Sequence, residues 1–218
     1  MINPQAIVDP GVTLGPNSRV WSFAHILPGA VIGEDCNICD HCFVENNVRI
    51  GDRVTVKNGV SLWDGMTIED DVFIGPNAVF TNDIFPRSKV YHDQVDKTLL
   101  KQGATIGANA VVVAGHTIGR WAFIGAGAVV TRNVPDFTLW YGNPAKMVGY
   151  VCRCAKRIEF PAGSDSIRRA ACECGVDAVK LQTYTPDTLT LKSNSDPFQI
   201  QVNDAWKGRT LHDLYKLA

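Results

Sequence analysis

The stretch Ile106–Thr131, IGANAVVVAGHTIGRWAFIGAGAVVT, decides how this chain is read. Ile106, Val112, Ile118, Ile124 and Val130 stand six residues apart, and the position two places before each is small at Ala104, Ala110 and Ala122. A helix repeats its apolar face every 3.6 residues and a strand every second residue, so a period of six is neither. It fits a short strand followed by a corner, repeated, with two inward slots per hexad. Three hexads close one triangular coil, which sets a period of 18 per coil.

The same phase runs through the first part of the chain, from Val8, Leu14 and Val20 to Ile68, Ile74 and Phe80, with Ala24, Ala30, Val48 and Val54 in the small slot. Gly15, Gly33 and Gly51 recur every eighteen residues, as do Gly107 and Gly125, and are expected at corners that need permissive dihedrals. The register also answers a question posed by Cys36–Cys42, CNICDHC, whose three cysteines and one histidine have a spacing that allows a metal site. Cys36 and Cys42 fall in the small inward slot, where a buried thiol behaves as a small hydrophobe, while Cys39 takes the corner position of Gly33 and Gly51. They read as core, and no metal is expected.

The bulk composition, 45% hydrophobic and 20% charged over 218 residues with a formal net charge of -1, lacks the basic excess that nucleic acid or anionic membranes attract. No segment reaches the roughly 18 consecutive apolar residues of a membrane span, and the N-terminus carries no export signal. A cytoplasmic protein with reduced thiols is the expectation, the odd count of seven cysteines arguing against a disulfide framework.

IGEDCN, IGDRVT and IEDDVFIGPNAVF, together with the opening stretch, resemble the hexapeptide-repeat acyltransferases over about residues 1 to 155. The resemblance implies an all-β fold, a left-handed parallel β-helix of hexapeptide repeats with a protruding loop. Its hand comes from the family alone, since the usual preference is for right-handed crossovers. The family also implies a homotrimer with acyl-CoA in the groove between neighbouring prisms. VWSFAHI, FVENNVRIG, DDVFIGPNAVFTNDIFPRS, KQGATIGANAVVVAG and VPDFTLWYGNPAKMVGYVCRC narrow the likeness to N-acetyltransferases of UDP- or dTDP-linked amino sugars, especially 3-amino sugars of bacterial surface polysaccharides. The implied reaction moves acetyl from acetyl-CoA, the co-substrate, to the sugar amine.

Phe80 and Ile106 lie 26 residues apart, which is not a multiple of six, so an insertion, read as 83–103, leaves the coil. Loops of this length are often functional, and the alternative is a solvated excursion that aids trimer packing. Eighteen-residue spacing stacks Asn46, Asp64 and Asn82 in one polar column beside the loop. If the insertion adds eight residues to a full coil, Ala108 and Ala126 continue that column and leave room for a thioester arm. Amide formation needs a neutral amine, a thioester carbonyl about 3 Å away and donors for the oxyanion. Either a histidine acts as base, or a side-chain amide orients an amine that enters neutral. The resemblance favours the second route and places Asn82, in the FTN motif, beside the acceptor amine.

On the same resemblance His25 belongs to the acceptor side, and Asn46 and Asp64 to the substrate column. Arg87, in the PRS turn, is a candidate for a phosphate or carboxylate of the nucleotide sugar, against ordinary surface solvation. Backbone around Gly107, Ala108, Gly125 and Ala126 is expected to line the pantetheine arm, and Asn143, Pro144, Ala145 and Lys146 to approach the adenine and phosphates. His92 lies on the loop, and His116 occupies an inward slot as a core histidine.

Beyond residue 155 the hexads stop, and 156–218 reads as a short α/β tail. A helix is expected from about Ser164 to Cys174, capped by Ser or Asp and stopped by Gly175, then a strand at Ala178–Thr183. GVDAVKLQTYTPDTLTLKS resembles an early segment of the sialic and pseudaminic acid synthase barrel, with Lys180 and Gln182 at a strand end where that family binds phosphoenolpyruvate. A whole eight-fold barrel needs about 250 residues, so this tail cannot form that site. Cys152 and Cys154 with Cys172 and Cys174 leave a zinc knuckle open, although zinc pairs are more usually two to four residues apart. Three further readings stand beside the main one: a zinc carbonic anhydrase on the same coil, against which the absence of a histidine pair four apart argues; a non-catalytic trimeric scaffold; and transfer to a 4-amino sugar nucleotide of nonulosonate synthesis.

Overall fold

The computed structural model describes residues 1–90 and 96–158 and, separately, the strands Ile167–Ala170 and Val179–Gln182. Residues 1–158 carry a parallel β-solenoid of two-residue strands, each pairing with a strand one coil on: Val8 with Ile26, Leu14 with Ile32, Val20 with Ile38. The strands stack into three faces. The first holds Ile26, Val44, Leu62, Phe80, Val112 and Val130, the second Ile32, Ile50, Ile68, Leu100 and Ile118, the third Ile38, Val56, Ile74, Ile106 and Ile124.

The two predicted slots form the core. Ile26, Ile74, Ile106 and Ile124 have no exposed surface, and neither do Ala24, Ala30, Ala104 and Ala122. Like residues stack on like along the axis, and each backbone N–H reaches the carbonyl of the next coil, as in Gly107 N to Ile124 O at 2.8 Å. Cys36 and Cys42 are fully enclosed in this column. Their thiols donate to carbonyls, Cys36 Sγ to Gly51 O at 3.0 Å and Cys42 Sγ to Lys57 O at 3.2 Å. Burial pushes the Cys42 thiol up to about 11 and raises Cys36 and Cys39 as well, away from the thiolate form that metals bind.

The glycine expectation needs a different reason. The left-handed corner is the third residue after each inward aliphatic, occupied by Gly29, Gly59, Asn17, Asn47 and Asn77, and also by Phe23, His41, Arg53 and Trp121. Gly33, Gly51 and Gly107 are not there; their φ is ordinary, and what they supply is clearance. A Cβ on Gly33 would lie 2.6 Å from Gly51 O, and one on Gly107 would lie 2.5 Å from Ala126 N. Glycine at these positions lets successive coils approach where a Cβ would meet backbone, although Glu69 stands in the same column one coil after Gly51.

The loop is shorter than the sequence implied. Leu99–Leu100 is a strand of the second face, paired with Thr67–Ile68, so the excursion has ended before residue 99 rather than at 103. Ile68 pairs with Leu100 and Phe80 with Val112, each 32 residues on, whereas an ordinary coil advances 18; the excursion adds 14 residues, not eight. The Asn46, Asp64, Asn82 column therefore continues into Ala114, and Ala108 and Ala126 belong to another edge.

After the last coil the chain turns back as an antiparallel hairpin, Thr138–Tyr141 against Lys146–Val151, extended by Arg157–Ile158. Thr138–Tyr141 itself pairs with Phe123–Ile124 and caps the third face. The second unit contains an antiparallel pair, Ile167–Ala170 with Val179–Gln182. Part of the expected helix is thus strand, because a cap and a glycine stop are weaker than a ladder with a β-branched neighbour segment; the rest of it and the Cys172 and Cys174 pair lie outside the described residues. The strand expected at Ala178–Thr183 is present as Val179–Gln182. Among the described residues no helix is long and apolar enough to cross a membrane.

Candidate active site

Asn82 stands where the first face ends and the excursion begins. The inward Phe80 and the Thr81 hydroxyl, which accepts Ala114 N–H at 2.9 Å, fix the chain before it, and Asp83 accepts Phe85 N–H at 2.7 Å after it. The Asn82 side chain is exposed. Above it the polar column is held firmly: Asn46 Nδ2 donates to Pro28 O at 2.8 Å, Asn47 Nδ2 to Asp64 Oδ2 at 3.3 Å, and Asp64 N to Glu45 Oε2 at 2.8 Å. Arg87 is exposed on the excursion and forms a bridge with Val90. His92 lies outside the described residues.

His25 is on the outward side of the first face, three coils before Phe80, or about 14 Å at the usual strand spacing. One chain does not bring it to Asn82. It is engaged instead with Asp9, Nε2 to Oδ2 at 3.3 Å, and edge-on to Phe43, whose ring in turn meets Trp63 at 5.8 Å. Trp63 Nε1 donates to Phe80 O at 2.7 Å. Trp63 was not singled out from the sequence, although its place in the outward column one residue after inward Leu62 was readable. His116 is half-buried rather than enclosed.

The residues expected to hold the acyl carrier do come together. Gly107 and Gly125 lie one coil apart, Gly127 N donates to Ala108 O at 2.9 Å, and the NPAK turn is fastened beneath them, Ala145 N to Val129 O at 2.7 Å. Asn143, Pro144, Lys146 and Ala126 are exposed while Ala145 is buried, so the strip offers backbone and one cation along the edge between the third and first faces. Asn82 lies on the opposite edge of the first face. The four steps from Ala110 to Ala114 span that face, about 13 Å when extended.

A coil of parallel hexads, an amide at the root of an excursion and a glycine-lined strip define a hexapeptide-repeat acyltransferase. The sequence matches the families described as Bacterial transferase hexapeptide (six repeats), over residues 11–46, and Hexapeptide repeat of succinyl-transferase, over 102–132. It is 56% identical over 174 residues to the dTDP-3-amino-3,6-dideoxy-alpha-D-galactopyranose 3-N-acetyltransferase of Aneurinibacillus thermoaerophilus, covering 80% of this chain and 88% of that one. The chain belongs to the N-acetyltransferases of nucleotide-linked amino sugars, acyl-CoA-dependent left-handed β-helix enzymes. The structure of AntD, an N-acyltransferase from Bacillus cereus solved with dTDP and coenzyme A, shares the fold at 18% identity with a TM-score of 0.53, covering 65% of this chain and 85% of that one. Residues 167–218 match the NeuB family, and 50 residues are 48% identical to a pseudaminic acid synthase of Campylobacter jejuni, only 14% of that enzyme's length.

Proposed function

We propose that this protein acetylates the 3-amino group of a dTDP-linked 3-amino-3,6-dideoxy sugar, with acetyl-CoA as donor, for bacterial surface polysaccharide. The observation that carries the reading is the 56% identity, running through most of both chains, to an enzyme named for that reaction. In the step itself the neutral amine nitrogen attacks the thioester carbonyl; the C–N bond forms, the C–S bond breaks, and the proton leaves with the departing CoA thiolate. Asn82 orients the amine, and Arg87 meets a charged group of the nucleotide sugar. His25, Asn46 and Asp64 lie on the acceptor side. The strip of Gly107, Ala108, Gly125 and Ala126 receives the pantetheine arm, and Asn143, Pro144, Ala145 and Lys146 the adenine and phosphates.

A homotrimer is part of this proposal. Its support is that Asn82 and the strip lie on opposite edges of one face, so a site using both takes Asn82 from one prism and the strip from its neighbour. Residues 1–155 form the transferase unit in this reading and 156–218 an appended segment too short for a synthase site.

The synthase-like tail favours a second reading, in which the acceptor is a 4-amino sugar nucleotide. Thiol release from acetyl-CoA, measured against UDP- and dTDP-linked 3-amino and 4-amino sugars, separates the two. Turnover of the dTDP 3-amino sugar is expected, at least ten times faster than of any 4-amino compound; the reverse order would overturn the assignment. Asn82→Ala is expected to lower kcat a hundredfold or more with KM for acetyl-CoA little changed, the pattern of an interaction made in the transition state.

A further inference from the structure

Among the described residues of the solenoid, the coil-to-coil ladder fails in the first face: it is two sheets, the four strands from Ile7–Val8 to Ser61–Leu62 and the three from Val79–Phe80 to Val129–Val130. On either side of the gap the outward column keeps a regular bond, Leu27 N to Val44 O and Glu45 N to Leu62 O at 2.9 Å, then Thr81 N to Val112 O at 3.2 Å. The corresponding bond would be Trp63 N to Phe80 O. Phe80 O instead accepts the Trp63 indole N–H at 2.7 Å, and Trp63 N faces Met66 Sδ at 3.4 Å. A side chain has replaced the backbone rung two residues before Asn82.

That exchange has a geometric consequence. A backbone rung sets the next strand one ordinary spacing away; an indole reaches farther and sets Phe80 at a distance and angle fixed by the ring. Phe80 is held from within by the core and from without by Trp63, so Thr81 and Asn82 leave the prism along a fixed line. The ring is itself braced, against Phe43 at 5.8 Å, then Phe43 against His25 at 5.9 Å, and His25 against Asp9 at 3.3 Å. This row gives His25 a part in the site without contact to reacting atoms.

We infer that Trp63 is a positioning residue for acetyl transfer, its indole N–H replacing a ladder bond to aim Asn82 at the acceptor amine. The inference rests on the role proposed above for Asn82. Misplacement of an orienting group by an ångström or less is felt in kcat rather than in substrate binding, so the loss of this bond should show there.

Trp63→Phe keeps an aromatic ring at the site, smaller than the indole, and removes the donor. About a tenfold fall in kcat is expected, with KM for acetyl-CoA unchanged and the thermal midpoint within a few degrees of the parent. Combined with Asn82→Ala, the substitution should cost nothing further, because there is no oriented amide left to misplace. Site-specific replacement of Trp63 by 3-benzothienylalanine, which has sulfur in place of the N–H on the same shape, should reproduce the fall even if the phenylalanine variant folds poorly. Full kcat in both variants, or a Trp63→Phe loss that persists on the Asn82→Ala background, overturns the inference while leaving Asn82 in its role. If Asn82→Ala alone turns over normally, the role of Asn82 fails, and this inference with it.

Discussion

Replacement of Gly33 by alanine tests why the eighteen-residue glycine column exists. The new Cβ would stand 2.6 Å from Gly51 O and 2.7 Å from Gly51 C, both backbone atoms of the next coil, and would also strike the Asp52 carboxylate. Ordinary contact begins near 3.4 Å, so the oxygen would have to move away by about 0.8 Å. Opening the coils by that much stretches the bond from Gly33 N to Ile50 O, now 2.9 Å, past useful length, and displaces the Asp52 Oδ1 that accepts Glu34 N–H at 2.9 Å. Two bonds at about 1 kcal/mol each, with loosened packing between Ile32 and Ile50 beneath, put the loss at roughly 2 to 4 kcal/mol. Gly29→Ala is the control: Gly29 has φ +85°, and a Cβ there would meet only Asn47, Oδ1 at 3.4 Å and N at 3.7 Å, both ordinary contacts, so it carries dihedral strain alone, about 1 kcal/mol. Urea unfolding at one protein concentration, followed by circular dichroism, compares the two. Gly33→Ala within about 0.5 kcal/mol of the parent, or no worse than Gly29→Ala, would refute the clearance argument.

The enclosed thiols predict a pH dependence. Cys42 has its pKa raised by burial from 9.0 to about 11, and a group raised on folding stabilises below its unfolded value and ceases to as pH climbs through the folded one. Stability should therefore fall between pH 9 and 11, on the order of 2 kcal/mol, and Cys42→Ala should flatten that fall; an equal slope in both proteins would contradict it. Lys146→Ala should raise KM for acetyl-CoA several-fold with kcat held, measured as initial rates of thiol release, because an exposed point charge serves binding rather than the reacting centre.

The core was legible because it is periodic. Each inward position repeats one physical requirement, so Ile26 and Ile124, a hundred residues apart, could be read with one rule. The length of the excursion was not legible, because a period says nothing about how many residues are added where it lapses. Leu100 already stands in phase with Ile106, but it lies in a polar stretch that reads as loop, and the assumed eight-residue insertion puts Ala108 and Ala126 on the wrong edge. The glycine column was seen and given the wrong cause, since a sequence does not distinguish a residue that needs φ > 0 from one that must leave space. The helix expected at 164–174 rested on end signals alone, and the Ile167–Ala170 ladder overrode them.

A solenoid of this kind leaves little freedom for a site. Each coil satisfies the next one's backbone and the slots are filled mostly by small or aliphatic residues, so chemistry is best placed where the repeat is interrupted. The interruptions found are the excursion after Phe80, the missing rung at Trp63, and the hairpin that ends the third face with the NPAK turn. The residues proposed for acceptor orientation and for the phosphates sit at these three breaks, while the glycine strip between them is regular coil made narrow. Departures from the hexad are therefore the better guide to chemistry in this chain, and the hexad itself the guide to what holds the departures in place.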